Sequence, residues 1–567
     1  MPWTEPTSAS TASYMGIMYP DSSCRHIATS RFKQGSVLHF LVCPFLYDAA
    51  DKNLYFISSI KLRITLNTPE FGTLSYNHPM CNLNMDMVKS MIINSADSFD
   101  IAPVNPRQDS DIDYIIITNR ELAPSFKELA MWKTQKGIRT EIKTVEDIYE
   151  TYCEPTPQLK IKRCLYDYYQ NHNLKYALLG GDDTIVPVQL VKGISTLNEF
   201  IPADNFYSCF DSCFNWDKND NGIAGEFISG NNSDGVDFLQ CISLSRLPVR
   251  SVSDVMNFLK KLLRYEMDPL SAQWNNSILF SGHVLITVHD GRSDAQIKGM
   301  HMYETYIKPY WDGKCVNFFD THTDIANGNY KLNKVHMEEQ LSKGYSFVDI
   351  ITHGSPKSWR LGPSPYPDSL MYHYGNAGSV ISSGFTVILT IACLTNAFDD
   401  KDTDPCLSEA FIRNPDSGVV AYFGSSRNGW IGEIDSIWPS LLYESYFYKY
   451  LFSKSSSNFA TLSNLTKYAL IQNTYSEKHY NYLQFGLNPV GDPEMQLFTS
   501  TPKVLGHDVI SFSQDTLFVD AGEPDCRICV SNLHIDGGTL FDVRENIQTA
   551  TFNNLPQQFS ICITKPG

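Results

Sequence analysis

No run in this chain of 567 residues approaches the roughly 18 apolar residues that a membrane-crossing helix requires. The opening residues, Met1-Pro2-Trp3-Thr4-Glu5, carry neither a basic cluster nor an apolar stretch, so no signal peptide is expected there. Positive charge is scarce: 45 Lys and Arg stand against 62 Asp and Glu, a net charge of −17. Without a concentrated basic patch, a phosphate backbone would be repelled, which argues against a nucleic-acid partner. The 14 cysteines are scattered rather than set at zinc-ligand intervals, and the closest pair, Cys526 and Cys529, has no second pair near it in the sequence to complete a site. A Gly-x-Ser-x-Gly elbow, a His-Glu-x-x-His helix and a Gly-rich phosphate loop ending in Lys-Ser or Lys-Thr are also missing. Serine-hydrolase, zinc-peptidase and nucleotide chemistry are thereby disfavoured, and no organic cofactor is expected.

What is present reads as a folded protein. Hydrophobic residues make up 43% and charged residues 19%, close to ordinary globular usage. Residues 1–75 carry short β-rich runs, and a helix-compatible stretch near 85–94 leads into a Pro-containing linker ending near 110. From Asp111 to about residue 500, strand and helix patterns alternate, which predicts a largely parallel sheet with helices on both faces. From 501 to 567 short strands separated by turn signals predict a small β-sandwich.

Two segments share one construction. The apolar run 345–352 delivers His353-Gly354, and the run 385–392 delivers Cys393. In a parallel sheet, ligands bind beyond the carboxyl ends of the strands, so both side chains are expected on one functional rim. A thiol there needs an imidazole to take its proton and later to protonate a leaving amine, which makes His353 and Cys393 a catalytic dyad. The amides of Gly354 and Cys393 could form an oxyanion hole. Either residue alone would more often be a packed or locally satisfied side chain; the paired construction carries the reading.

A second pattern lies in the run 217–226. Asp217, Asn219 and Asn221 place oxygens at alternate positions before Gly222, and Glu226 follows, a spacing suited to calcium, although a solvated acidic turn fits it equally.

The blocks ending in His353-Gly354-Ser355 and Ala392-Cys393 resemble those of the gingipain family of caspase-like cysteine peptidases. Further matches are Trp132-Lys133-Thr134-Gln135-Lys136-Gly137, Leu178-Leu179-Gly180-Gly181-Asp182 and Gly491-Asp492-Pro493. The caspase pentapeptide itself is absent around Cys393. The resemblance implies a caspase-like catalytic domain at 111–500, a prodomain-like segment before it and an immunoglobulin-like domain after it. It also implies protein or peptide substrates, and a secreted or cell-surface location. By the same resemblance Asp294 would sit at the base of the pocket for an Arg side chain, with Lys second, and Trp430 would form a pocket lid. Asp182 would hold calcium. Asp294 could instead belong to a helix start, and Trp430 to the core. The third residue orienting His353 stays open among His283, His289 and Asp290. The rivals to a general endopeptidase are a processing peptidase acting on secreted proteins and a non-catalytic surface module.

Overall fold

Continuous apolar runs become strands covered on both sides. Phe347–Ile351 and Thr386–Thr390 are buried at every position, as strands of a parallel sheet must be when other layers pack on each face. The computed structural model describes residues 18–62 and 110–565, apart from 21, 33–34, 195–198, 211–213, 229–230, 233, 237, 269–273, 321–331, 362–369, 403–404, 432–437, 503–504, 506–508, 514–515, 533–540 and 556–557. The expected helix near 85–94 and most of the linker fall outside the described residues.

The chain divides into two compact units. In the first, β1 (Met18–Tyr19), β4 (Phe45–Asp48) and β5 (Asn53–Phe56) form a three-stranded antiparallel sheet, and β2 (Cys24–Phe32) pairs with β3 (Gly35–Val42) as a separate hairpin.

The second unit is built on a ten-stranded sheet. In chain order its strands are β6 (Tyr114–Thr118), β7 (Thr140–Thr144), β8 (Tyr176–Gly180), β9 (Ser243–Leu247), β10 (Ser277–Gly282), β11 (Lys314–Phe319), β12 (Phe347–Ile351), β13 (Thr386–Thr390), β14 (Val419–Ser425) and β15 (Leu487–Gly491). Their spatial order is β11-β10-β12-β13-β14-β15-β9-β8-β6-β7. Every neighbouring pair is parallel except β14 and β15. Two parallel blocks of opposite direction therefore meet at that seam. The carboxyl ends of β10, β12, β13 and β14 consequently share a rim with the amino end of β15.

Helices begin where the sequence offers side-chain acceptors to their first amides. Ser251 and Asp254 form a reciprocal cap on α1 (Val252–Met267), and Ser293 caps α2 (Asp294–Met302) through Gln296 N–H. Beyond the sheet, Leu517, Val519, Ala550 and Phe552 from one three-stranded antiparallel sheet pack against Cys526, Ile528 and Val530 of another. This two-layer arrangement follows from the alternation of buried and outward residues along each strand.

Candidate active site

Register brings the two apolar blocks together. In β12 and β13 Ile350 lies opposite Thr390. The offset 390 − 350 = 40 equals 393 − 353 = 40, so His353 and Cys393 stand the same distance beyond their last paired residues. His353 opens a short antiparallel ribbon, His353–Ser355 against Ser358–Arg360. Gly354 then packs directly on the other block. A Cβ at this position would overlap the Cys393 carbonyl oxygen and lie 2.8 Å from Cys393 N and 2.9 Å from the Ala392 carbonyl carbon. Only glycine permits that approach without moving backbone. After Cys393 the chain turns sharply: Leu394 has φ of 64°, and its N–H donates to the Arg427 carbonyl at 2.7 Å. A left-handed leucine is strained, and such strain collects at functional turns.

The loop after β14 supplies the thiol's surroundings. Gly429 N–H donates to Cys393 Sγ at 3.2 Å, and Gly429 itself lies against the Ile391 carbonyl with no room for a side chain. Burial pushes the Cys393 thiol pKa up. The Gly429 and Cys393 amides pull the other way, Glu199 adds to the rise, and the net shift is upward. Glu199 accepts the Tyr482 hydroxyl at 2.6 Å, and that same oxygen accepts Asn428 N–H at 3.1 Å. Trp430 is half-buried here. Its ring lies 4.2 Å from that of His479 and 5.5 Å, edge-on, from that of Tyr482, forming an aromatic wall one residue from the thiol's donor.

On the imidazole side, His353 Nε2 lies 3.2 Å from the Leu285 carbonyl oxygen. With Nε2–H donated there, Nδ1 keeps the lone pair. None of the side chains considered in the sequence holds that place. His283 is buried against Asp320 at 3.3 Å, while His289 and Asp290 pair with each other in solvent. Asp294 is 6% exposed, the first residue of α2, and its carboxylate accepts four backbone amides: Leu285 at 2.9 Å, Ile286 at 2.6 Å, Thr287 at 3.0 Å and Ala295 at 2.9 Å. Those donors fill the lone-pair positions of a carboxylate. Helix capping falls to Ser293.

The side chains of the 217–226 run converge. Asn219 and Asn221 both direct their amide nitrogens at Glu226 Oε2, at 3.0 and 2.7 Å, and Asp217 holds the amides of Asn221 and Gly222. Asp234, fully buried, joins them by accepting Lys218 and Glu226 N–H, and burial raises its pKa. Its place eight residues beyond Glu226, outside the alternation, gave no sequence signal. The Asn oxygens face the turn itself, Asn219 Oδ1 accepting Asn221 N–H at 3.1 Å and Asn221 Oδ1 accepting Ile223 N–H at 2.9 Å, so an oxygen-ligated calcium ion would require both amides to turn and give up those bonds. Asp182 is occupied differently: one oxygen accepts Thr184 N–H and Oγ–H, and the other is bonded by Arg250 Nε.

Glu266, Asp492 and Glu494 also bring carboxylate oxygens close enough to hold a metal ion. Lys133 Nζ lies among them at 2.8, 2.5 and 2.7 Å, and Lys136 bridges Glu266 and Glu494. The two ammonium groups thus stand where a cation would compensate the charge. Burial acts to raise the Glu494 carboxyl pKa, but the two ammonium groups outweigh it and hold it at about 2.

The comparisons bear on this geometry. The sequence model of the family described as peptidase family C25 matches residues 107–498. Gingipain R2 of Porphyromonas gingivalis is 22% identical over 408 residues, covering 70% of this chain and 47% of the relative. An uncharacterized protein of Archaeoglobus fulgidus is 24% identical over 336 residues, 55% of this chain and 74% of that one. The chain thus spans about half the length of the gingipain R2 it matches. Among solved structures, the crystal structure of an Arg-specific cysteine proteinase, gingipain R, superposes with a TM-score of 0.58 at 17% identity, over 81% of this chain and 96% of the other. At that identity the likeness establishes the caspase-like fold.

Proposed function

The chain belongs to peptidase family C25, and from that membership we propose that it is a cysteine endopeptidase with His353 and Cys393 as its dyad. The observation that supports the reading is the seating of Gly354 on the Cys393 backbone at matched strand register, so that both chain segments end on the same rim of the sheet.

The thiol is held largely protonated by burial, so the imidazole acts first as a base. As Cys393 Sγ attacks the scissile carbonyl, its proton passes to His353 Nδ1, and the oxyanion is received by the amides of Gly354 and Cys393. Collapse breaks the C–N bond while Nδ1–H protonates the leaving amine. Water, deprotonated by the same nitrogen, then cleaves the thioester. The Gly429 amide, already aimed at Sγ, lowers the cost of thiolate character as the proton leaves.

The Trp430 wall would flank the side chain preceding the scissile bond, and calcium would brace the 217–226 loop with Asp217, Asn219, Asn221, Asp234 and Glu226. The prodomain-like segment at 1–75, the catalytic boundaries at 111 and 500, and a secreted or surface location belong to the same proposal. Among the described residues no helix is long and apolar enough to cross a membrane. A fluorogenic peptide panel varied at the residue before the scissile bond, run on the wild type and Cys393→Ala, tests the reading. Turnover by the wild type alone supports it, and turnover by the alanine variant overturns it. An Arg preference set by Asp294 enters the same panel, although that carboxylate is already saturated by four backbone donors.

A further inference from the structure

We infer that Asp294 is a positioning residue for the proposed dyad, acting on His353 through a single peptide group. The Leu285 carbonyl that meets His353 Nε2 belongs to the peptide whose N–H is that of Ile286. That N–H donates to Asp294 Oδ2 at 2.6 Å, the shortest of the carboxylate's four bonds. A trans peptide is planar, with its C=O and N–H pointing in opposite directions. Carboxylate, peptide and imidazole therefore form one line, with the Asp294 charge at one end and His353 at the other.

The arrangement does two things. It fixes the plane and tilt of the carbonyl, because Leu285, Ile286 and Thr287 N–H are all bound to the same buried side chain, and Asp294 N–H returns a bond to the Thr287 carbonyl at 3.1 Å. It also polarises the carbonyl, since a negative charge on the N–H side of a peptide strengthens the acceptor on the other side. Both effects favour an imidazole that donates from Nε2 and keeps its lone pair on Nδ1. Both also favour the imidazolium formed when Cys393 loses its proton. Other charged or titratable groups near His353 are Cys393 on the adjoining loop and Arg360 opposite it on the ribbon. The variants below leave both in place.

The inference rests on the dyad reading, so the experiment separates the two. In Asp294→Asn, the carboxylate charge is lost and an amide nitrogen faces backbone donors. We expect kcat to fall about 10- to 100-fold. KM should change little, substrates with Arg or a neutral residue before the scissile bond should be affected equally, and the acid limb of the pH–rate profile should move to lower pH. Ser293→Ala removes the cap of the same helix without touching the 285–287 amides, and should leave that limb in place. Ile286→Pro deletes the relaying N–H alone at a residue with a solvent-exposed side chain. It should shift the limb as Asp294→Asn does, and it keeps the test open if the Asn variant does not fold. A loss confined to Arg substrates and carried by KM would make Asp294 the base of a specificity pocket and overturn the inference. So would an equal limb shift in Ser293→Ala, or wild-type kcat and limb in both Asp294→Asn and Ile286→Pro. If Cys393→Ala is inactive in those cases, the dyad reading survives; if it turns over substrate, that reading falls instead.

Discussion

Replacing Asp349 by Asn should make the protein more stable at pH 8 and leave that gain behind at pH 4. Asp349 is on β12, four residues before His353, and fully buried, with the Tyr448 hydroxyl beside it. Glu444 and Tyr448 are buried beside it. Burial pushes the Asp349 carboxyl up to about 8, and the Tyr448 hydroxyl lowers it slightly. Glu444 is also raised, by burial and by Asp349. The folded pKa lies above the unfolded one, so the folded state favours the protonated acid. Stability from this group is fully present below about pH 4 and is lost as the pH rises through 8. The ordinary value for such a carboxyl is 3.8. At about 1.36 kcal/mol per unit the ceiling is roughly 5–6 kcal/mol, from which a buried amide with unmet bonds gives back about 1–3 kcal/mol. Thermal unfolding of both proteins from pH 4 to 8.5 reads the difference. Tm of the wild type should fall relative to the variant across that range, by about 5 °C or more at the upper end. A Tm difference that does not change with pH would refute the reasoning.

Cys393→Ala should retain the wild-type Tm within a few degrees while abolishing turnover. His353→Ala should leave Cys393 open to a small alkylating reagent, with a rate that still rises toward alkaline pH because burial keeps the thiol protonated near neutrality. Gly354→Ala should cost about 1–3 kcal/mol in denaturant unfolding and lower kcat/KM by at least about 100-fold, since the new methyl meets Cys393 backbone that cannot give way; near-normal activity would show that this contact is not required. If the 217–226 loop holds calcium, adding the ion should raise Tm by mass action, and Glu226→Gln, which removes the carboxylate both Asn amides face, should lose that rise.

The fold was legible wherever burial forces a period on the chain. Strands buried on both faces are mostly apolar, and β12, in spite of Asp349, and β13 advertise themselves for that reason. Their ends advertise a polar residue because nothing else could interrupt such a run cheaply. The segments Trp132–Gly137 and Gly491–Pro493 were legible as a likeness but not as physics, since their meeting joins residues far apart in sequence, 359 positions for Lys133 and Asp492. The antiparallel seam between β14 and β15 was equally hidden, because strand direction leaves no mark on composition.

The groups around the proposed dyad form a different class. The Gly429 amide, the Leu285 carbonyl and the Ile286 amide act through backbone atoms that every residue type possesses, so no choice of side chain signals them. Their only trace is indirect: a glycine where Ile391 leaves no room, and a carboxylate at Asp294 whose partners are all backbone. An aspartate at a helix start has two uses that look alike in sequence, capping and clasping. The neighbouring serine decides between them here. Ser293 already satisfies the helix through Gln296 N–H, which releases Asp294 to bind the loop that reaches His353. A carboxylate that caps can be replaced by asparagine at little cost. One that clasps three consecutive amides through both oxygens cannot, because the amide group brings a donor where only acceptors fit.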